Sequence, residues 1–226
     1  IEKLGFGYDA GRAYNPRLVY CSVSGFGRTG PYADRGGFDL VAQAMSGVMS
    51  ITGTSRNEPP VKCGPPLTDI TAGLLAAMGI LAALHHREKS GEGQLVDTSL
   101  LEAGIIHTYW QSAMTLATGE PPGPLGSAHP LNAPYQAFEA QDGWIVVGGA
   151  NQRAWTRLVE ALDAPELAAD PRFADNRARM AHLADLEAAL SERFRRRPAA
   201  EWLARLDAAG VPAGPVYDIA QMHADP

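Results

Sequence analysis

Basic charge is scarce in this chain. Its 226 residues carry 19 Lys and Arg against 25 Asp and Glu, a formal net charge of −6. Gripping a nucleic-acid backbone needs a cationic surplus, so no nucleic-acid partner is expected. A single cofactor-sized anion could still be met by a locally positive pocket. Cysteine is scarcer: Cys21 and Cys63 stand alone. They have no metal-ligand spacing, so no metal is expected, and two thiols suit a reducing, cytoplasmic compartment better than a disulfide scaffold. No apolar run reaches membrane-spanning length without interruption, so no membrane is expected. Internal repeats and low-complexity tracts are missing as well. The chain starts IEKLGFGYD, without Met, and stops at HADP. We expect a segment of a longer protein, whose targeting signals cannot be read here.

What remains is ordinary globular composition, 46% hydrophobic and 19% charged, enough for one large or two small domains. The organising stretch is Gly64 to Asp97. Pro65 and Pro66 stiffen the approach to a helical pattern from about Thr71 to Lys89. Leu74, Leu75, Met78, Leu81, Ala82 and Leu84 recur at helical spacing and mark an apolar face. His85, His86, Arg87 and Lys89 suit the negative end of the helix dipole, and Gly91 is placed as the stop. Asp69 then falls at or near the N-cap. It could simply cap. Alternatively, a carboxylate beside free backbone N–H groups is held ionised and oriented, as a nucleophile requires.

Before this stretch, a short helix and loop feed a strand at Leu18–Ser24. Gly25, Gly27 and Gly30 then match G-x-G-x-x-G. A dinucleotide site would need those glycines to open a helix. Pro31, Tyr32, Gly36 and Gly37 follow instead and read as an extended loop. That loop is either a flexible connection or a place where backbone approaches another nucleotide-like ligand. A helix pattern runs from Phe38 to Met49. After Gly91 come a strand at Gln94–Asp97 and a capping box, Ser99 to Glu102, opening a helix to about Leu116. The Pro/Gly-rich Gly119–Gly126 marks a boundary. Strands follow at Tyr135–Glu139 and Trp144–Val147, joined at Gln141-Asp142-Gly143. Helices are expected near 152–162, 177–182, 184–196 and 200–209, then a rigid turn at 210–215 and a short helix at 216–223. Leu183, Leu186, Leu190 and Phe194 mark one buried face, and Arg195–Arg197 read as a solvated helix end.

Six blocks, in order, resemble the class III CoA-transferase family (CaiB/BaiF type). They are SVSGFGRTGPY, GGFDLVAQAMSGVMSITG, GPPLTDITAGLLAAMGILAAL, SGEGQLVDTSLLEA, HPLNAPYQAFEAQDGWIVVGGANQRAW and LDAAGVPAGPV. The later blocks look most like its succinyl-CoA:dicarboxylate branch. The resemblance implies an α/β fold, with part of a Rossmann-like large domain at 1–118, a linker and active-site loop at 119–134, and a smaller α+β domain at 135–226. It also implies an interlocked homodimer, no permanently bound cofactor, and acyl-CoA and a small carboxylic acid as substrates. By resemblance, Asp69 is the nucleophile that forms an acyl anhydride and then an aspartyl-CoA thioester. Ser24, Gly25, Phe26 and Gly27 match the segment lining the CoA channel. So do Gly37, Phe38 and Asp39, with Val41 and Ala42 behind them. Gly126 and His129 fall where a small-domain loop approaches the acyl group, and His129 is a candidate for the acceptor carboxylate.

A racemase branch of the family carries histidine where this chain has Phe38. A hydrocarbon ring cannot move a proton, so CoA transfer is preferred to racemisation. The third alternative is an inert segment that only folds or dimerises: in relatives the basic residues that hold the CoA phosphates mostly precede the position of Ile1.

Overall fold

The computed structural model describes all 226 residues, which separate into two compact units, Ile1–Pro124 and Leu125–Pro226. The first unit begins with a short 3-10 turn and α1 (Tyr8–Tyr14), then β1 (Tyr20–Ser24). After a long loop come α2 (Asp39–Met45), a 3-10 turn at Val48–Ile51, and α3 (Leu67–Ser90). It closes with β2 (Leu95–Ser99), α4 (Leu100–Ile106) and α5 (Tyr109–Thr118). β1 and β2 pair in parallel, Tyr20 opposite Leu95 and Ser24 opposite Ser99, with α3 in the crossover between them, as a parallel pair requires.

α3 sits on this pair through small residues. Ala72 and Ala83 are fully buried and Ala76 nearly so. A Cβ on Gly79 would lie 2.5 Å from Val96 Cγ1, so the helix backbone comes close to β2. Much of the apolar face marked by periodicity therefore points away from the sheet. Met78 is 67% exposed and Leu81 66%, with Ile70 and Leu74 in the same stripe. Leu75 packs with Ala42, Ala72, Leu100 and Ala103 in this unit's small core. α3 is also the one helix long and apolar enough to cross a membrane by length and composition. Counting only uninterrupted runs missed it, because Thr71, Gly73 and Gly79 barely lower its hydropathy.

Two long helix patterns are broken. The first stops at Met45, and Gly47, with φ +90°, turns the chain into the 3-10 segment. The second breaks at His107 and Thr108 between α4 and α5. Ser99 does open α4, with its Oγ accepting the Glu102 N–H at 3.2 Å.

The second unit is an antiparallel sheet covered by helices. Its strands are β3 (Tyr135–Glu139), β4 (Trp144–Gly148) and β5 (Ala213–Pro215), in the order β3-β4-β5. β5 lies where a rigid turn was expected. Pro212 just before it and Pro215 at its end hid this three-residue pairing, and an edge strand tolerates Pro. The helices are α6 (Gln152–Ala161), α7 (Pro165–Ala169), α8 (Asn176–Ala181), α9 (Leu183–Phe194), α10 (Ala199–Ala208) and α11 (Ile219–Ala224). Phe138, Ile145, Trp155, Leu158, Leu186, Leu190, Phe194, Trp202 and Leu206 fill the core. Arg195 and Arg196 pair with Glu139 and Glu192 at the surface. Both cysteines are unpaired.

A Cβ on Gly93 would sit 2.0 Å from the carbonyl oxygen of Leu18. That neighbour is backbone and cannot rotate away. Gly93→Ala should therefore lower unfolding free energy by about 1–3 kcal/mol in urea denaturation, whereas Gly143→Ala, with open space around it, should stay within about 0.5 kcal/mol.

Candidate active site

Asp69 is the third residue of α3, not its N-cap. The cap position belongs to Pro66, which has no side-chain acceptor. Prolines are tolerated at a helix start, where the missing N–H has no partner to lose, so the helix begins earlier than the Pro-Pro pair suggested. The cap comes instead from another helix. Asp39 Oδ1 accepts the Thr68 N–H at 2.9 Å and the Thr68 hydroxyl at 2.8 Å. Its second oxygen, Oδ2, accepts from Gln43 Nε2 at 2.7 Å.

Burial pushes the Asp39 carboxyl up, but the hydrogen bonds from Thr68 and Gln43, with the nearby Asp69 backbone N–H, outweigh it and hold it below the usual aspartate range. Gln43 is fully buried and its Oε1 accepts the Cys63 N–H at 2.9 Å. Lys62 Nζ donates to the carbonyls of Cys63 and Gly64. One turn into α3, the Thr71 hydroxyl meets His107 Nε2 at 2.7 Å. The segment from Lys62 to Thr71 is thus tied down on several sides, while the Asp69 side chain itself is exposed. Being in the first turn, its carboxylate remains within reach of the favourable helix dipole.

The loop after β1 is pinned at both ends. A Cβ on Gly25 would lie 2.7 Å from Gly37 Cα, and one on Gly37 would lie 2.6 Å from Gly25 Cα. Only two glycines allow backbones to meet so closely. Ser24 Oγ accepts the Gly27 N–H at 3.0 Å, and Gly27 adopts φ +89°. Phe26 packs edge-on against Tyr32, whose ring also carries the Arg35 guanidinium 4.5 Å from its centroid. No helix opens until Asp39, so these glycines do not make the strand-to-helix turn of a dinucleotide site. Phe38 is 79% exposed at the cap of α2, and Val41 is exposed beside it. Ala42 is 1% exposed within the core, so its side chain supports this wall from behind. Asp39 is committed to α3.

In the second unit, Gly126 adopts φ +60° and precedes a segment that covers the edge of β3. Ser127 Oγ accepts the Ala137 N–H at 2.9 Å, and the His129 N–H donates to the Tyr135 carbonyl at 3.0 Å. The His129 ring stacks on Tyr135 with centroids 5.2 Å apart. A cavity of about 420 Å³ lies there, lined by Ser127, His129, Pro130, Tyr135 and Val146.

A sequence model of CoA-transferase family III matches residues 1–226. The chain belongs to that family. It is 40% identical, over 98% of its length, to the acetyl-CoA:oxalate CoA-transferase of Acetobacter aceti, of which it covers 57%. It is 39% identical over its whole length to the succinate–glutarate CoA-transferase of Agrobacterium fabrum, covering 56% of that enzyme. A CaiB/BaiF family protein from Brucella suis superposes with a TM-score of 0.84 at 40% identity, over all of this chain and 59% of that one. This CoA-transferase family III chain thus spans little more than half the length of the curated relatives it matches.

The residues that sequence reasoning missed are Gln43, Lys62, Thr68 and His107. Asp39 and Gln43, four apart on one helix, were a local signal for a shared task, but their target lies 29 and 20 positions away.

The Asp39 clamp has a pH signature. Its native carboxyl is more acidic than the unfolded one, so between the two values the unfolded chain binds more protons and stability rises with pH. Its contribution is complete above about 3.9, the unfolded reference, and is lost as pH falls through the lower native value. Asp39→Asn should cost about 1–3 kcal/mol at pH 7, and urea unfolding across the acid range should show a shallower pH dependence than wild type.

Proposed function

We propose that the protein containing this chain transfers coenzyme A from an acyl-CoA donor to a carboxylic acid, with Asp69 as the covalent nucleophile. The observation that carries this reading is the division of labour at α3. Asp39 takes over the capping, which leaves the Asp69 carboxylate exposed on a rigid turn. A capping aspartate would be occupied; this one is not required for the helix.

In this mechanism an oxygen of Asp69 attacks the donor thioester carbonyl, and CoA thiolate leaves, giving a mixed anhydride. The thiolate attacks the Asp69 carbonyl and expels the donor's carboxylate, leaving an aspartyl-CoA thioester. An acceptor carboxylate attacks that thioester, CoA thiolate leaves again, and a second anhydride forms. Thiolate attack on the acceptor's carbonyl yields the new acyl-CoA and restores Asp69. Each step exchanges one anionic oxygen or sulfur for another, so no proton is consumed. The need is a positioned, ionised carboxylate in a site that keeps water from the anhydride.

Ser24, Gly25, Phe26, Gly27, Gly37, Phe38 and Val41 would form the wall along which the CoA arm passes, the glycines letting it approach the backbone closely. Gly126 and His129 would meet the acceptor acid. The relatives' names include oxalate and glutarate, which supports dicarboxylates as the acceptor class, and succinyl-CoA, printed in the names of further relatives, is the donor to test first. The exposed stripe Ile70, Leu74, Met78 and Leu81 supports burial against further protein in the whole assembly, for which an interlocked homodimer is our reading.

Asp69→Ala in the full-length protein should abolish transfer from succinyl-CoA to a panel of dicarboxylates, with CoA affinity, by calorimetry, within a few-fold of wild type. Retained turnover would remove Asp69 from the mechanism.

A further inference from the structure

We infer that Asn176, supported by Arg179, is a positioning residue that fixes His129 and selects its tautomer; this rests on the acceptor role proposed above for His129. Both residues lie on α8, three apart and therefore on one face. Asn176 grips the loop after His129 with both ends of its amide. Its Oδ1 accepts the Ala133 N–H at 3.1 Å, and its Nδ2 donates to the Leu131 carbonyl at 2.9 Å. Arg179 Nε donates to the Ala133 carbonyl at 2.7 Å. The backbone from Leu131 to Ala133 is thus held at three points by one short helix.

Arg179 is an expensive way to hold a loop. It is fully buried, and no carboxylate hydrogen-bonds it. Its other contacts are the Phe173 carbonyl and Gln152 Oε1, both at 3.0 Å, and the face of Trp155 at 5.0 Å. Its second terminal nitrogen, Nη2, is buried without a hydrogen bond. An unpaired buried cation costs stability that an apolar side chain would not. What the guanidinium gives in return is a fixed position for the Ala133 peptide.

The held loop brings two donors to the functional side chain, the Leu131 N–H and, at 3.4 Å, the Asn132 amide Nδ2, both on the same ring nitrogen. Leu131 N–H donates to His129 Nδ1 at 3.1 Å. An Nδ1 that accepts cannot carry the proton, so the neutral ring is protonated at Nε2. The His129 backbone is fixed separately by the Tyr135 carbonyl. The clamp thus determines which ring nitrogen is a donor, and a donor is what a carboxylate ligand recognises. Ser127 shows the same design in the same cavity. Its Oγ accepts a backbone N–H, so its own proton is directed elsewhere.

The test uses full-length protein labelled with nitrogen-15 histidine, with His129→Gln to assign the signal. Asn176→Asp keeps the shape and the acceptor for Ala133 but loses the donor to Leu131. Asn176→Ser is read in parallel in case the first variant fails to fold. In wild type, His129 should show an unprotonated Nδ1 and a protonated Nε2. In the folded variant, the Nδ1-protonated tautomer should become populated. KM for the dicarboxylate acceptor should rise several-fold, with KM for the acyl-CoA donor unchanged. An unchanged tautomer in a folded variant overturns the inference, whatever the activity. A shifted tautomer with unchanged acceptor KM leaves the clamp standing and instead removes His129 from acceptor binding.

Discussion

The first unit depends on one carboxylate. Asp39 sits at the start of α2, yet its hydrogen bonds go to the start of α3, through the Thr68 N–H and hydroxyl, with Gln43 as its second support. A helix start leaves N–H groups that need acceptors, and the Gly-Pro-Pro approach offers none. Supplying the acceptor from α2 joins two helices that have only a small apolar core between them, around Ala42, Ala72, Leu100 and Ala103. Charge-assisted hydrogen bonds of this kind are directional and individually worth more than neutral ones. They set the angle at which Asp69 is presented, which packing of alanines alone would leave loose.

The same device appears in the second unit with different chemistry. Asn176 and Arg179 use amide and guanidinium groups to hold loop backbone around Ala133, as Asp39 holds Thr68. In both places most of the backbone's hydrogen-bonding needs are met by a neighbour of the candidate residue, although His129 Nδ1 also accepts the Leu131 N–H. That arrangement is compatible with the roles proposed above for Asp69 and His129.

Local signals were legible in the sequence. Alternation gave β3 and β4, the Ser99–Glu102 spacing gave the start of α4, and Gly91 gave the end of α3, where it adopts φ +77°. The ordered blocks around Gly25–Gly37 and Asp69 pointed to the family, which the match over residues 1–226 establishes. Tertiary matters were not legible. The Asp39–Thr68 bonds join residues 29 apart, and nothing in local composition announces them. Which face of α3 is buried was not legible either: against a close β2 the small residues Ala72, Ala76 and Ala83 are inside. The breaks at Gly47 and His107 interrupt patterns whose hydrophobic period continues through them.

Oxygen transfer tests the central claim most directly. If an acceptor acid attacks an aspartyl thioester, one of its carboxylate oxygens remains on the aspartate when thiolate departs with the acyl group. Turnover of the full-length protein with oxygen-18-labelled acceptor should place the label in the peptide containing Asp69, read by mass spectrometry, and Asp69→Asn should show none. Sustained turnover with that peptide unlabelled would contradict a covalent role for Asp69.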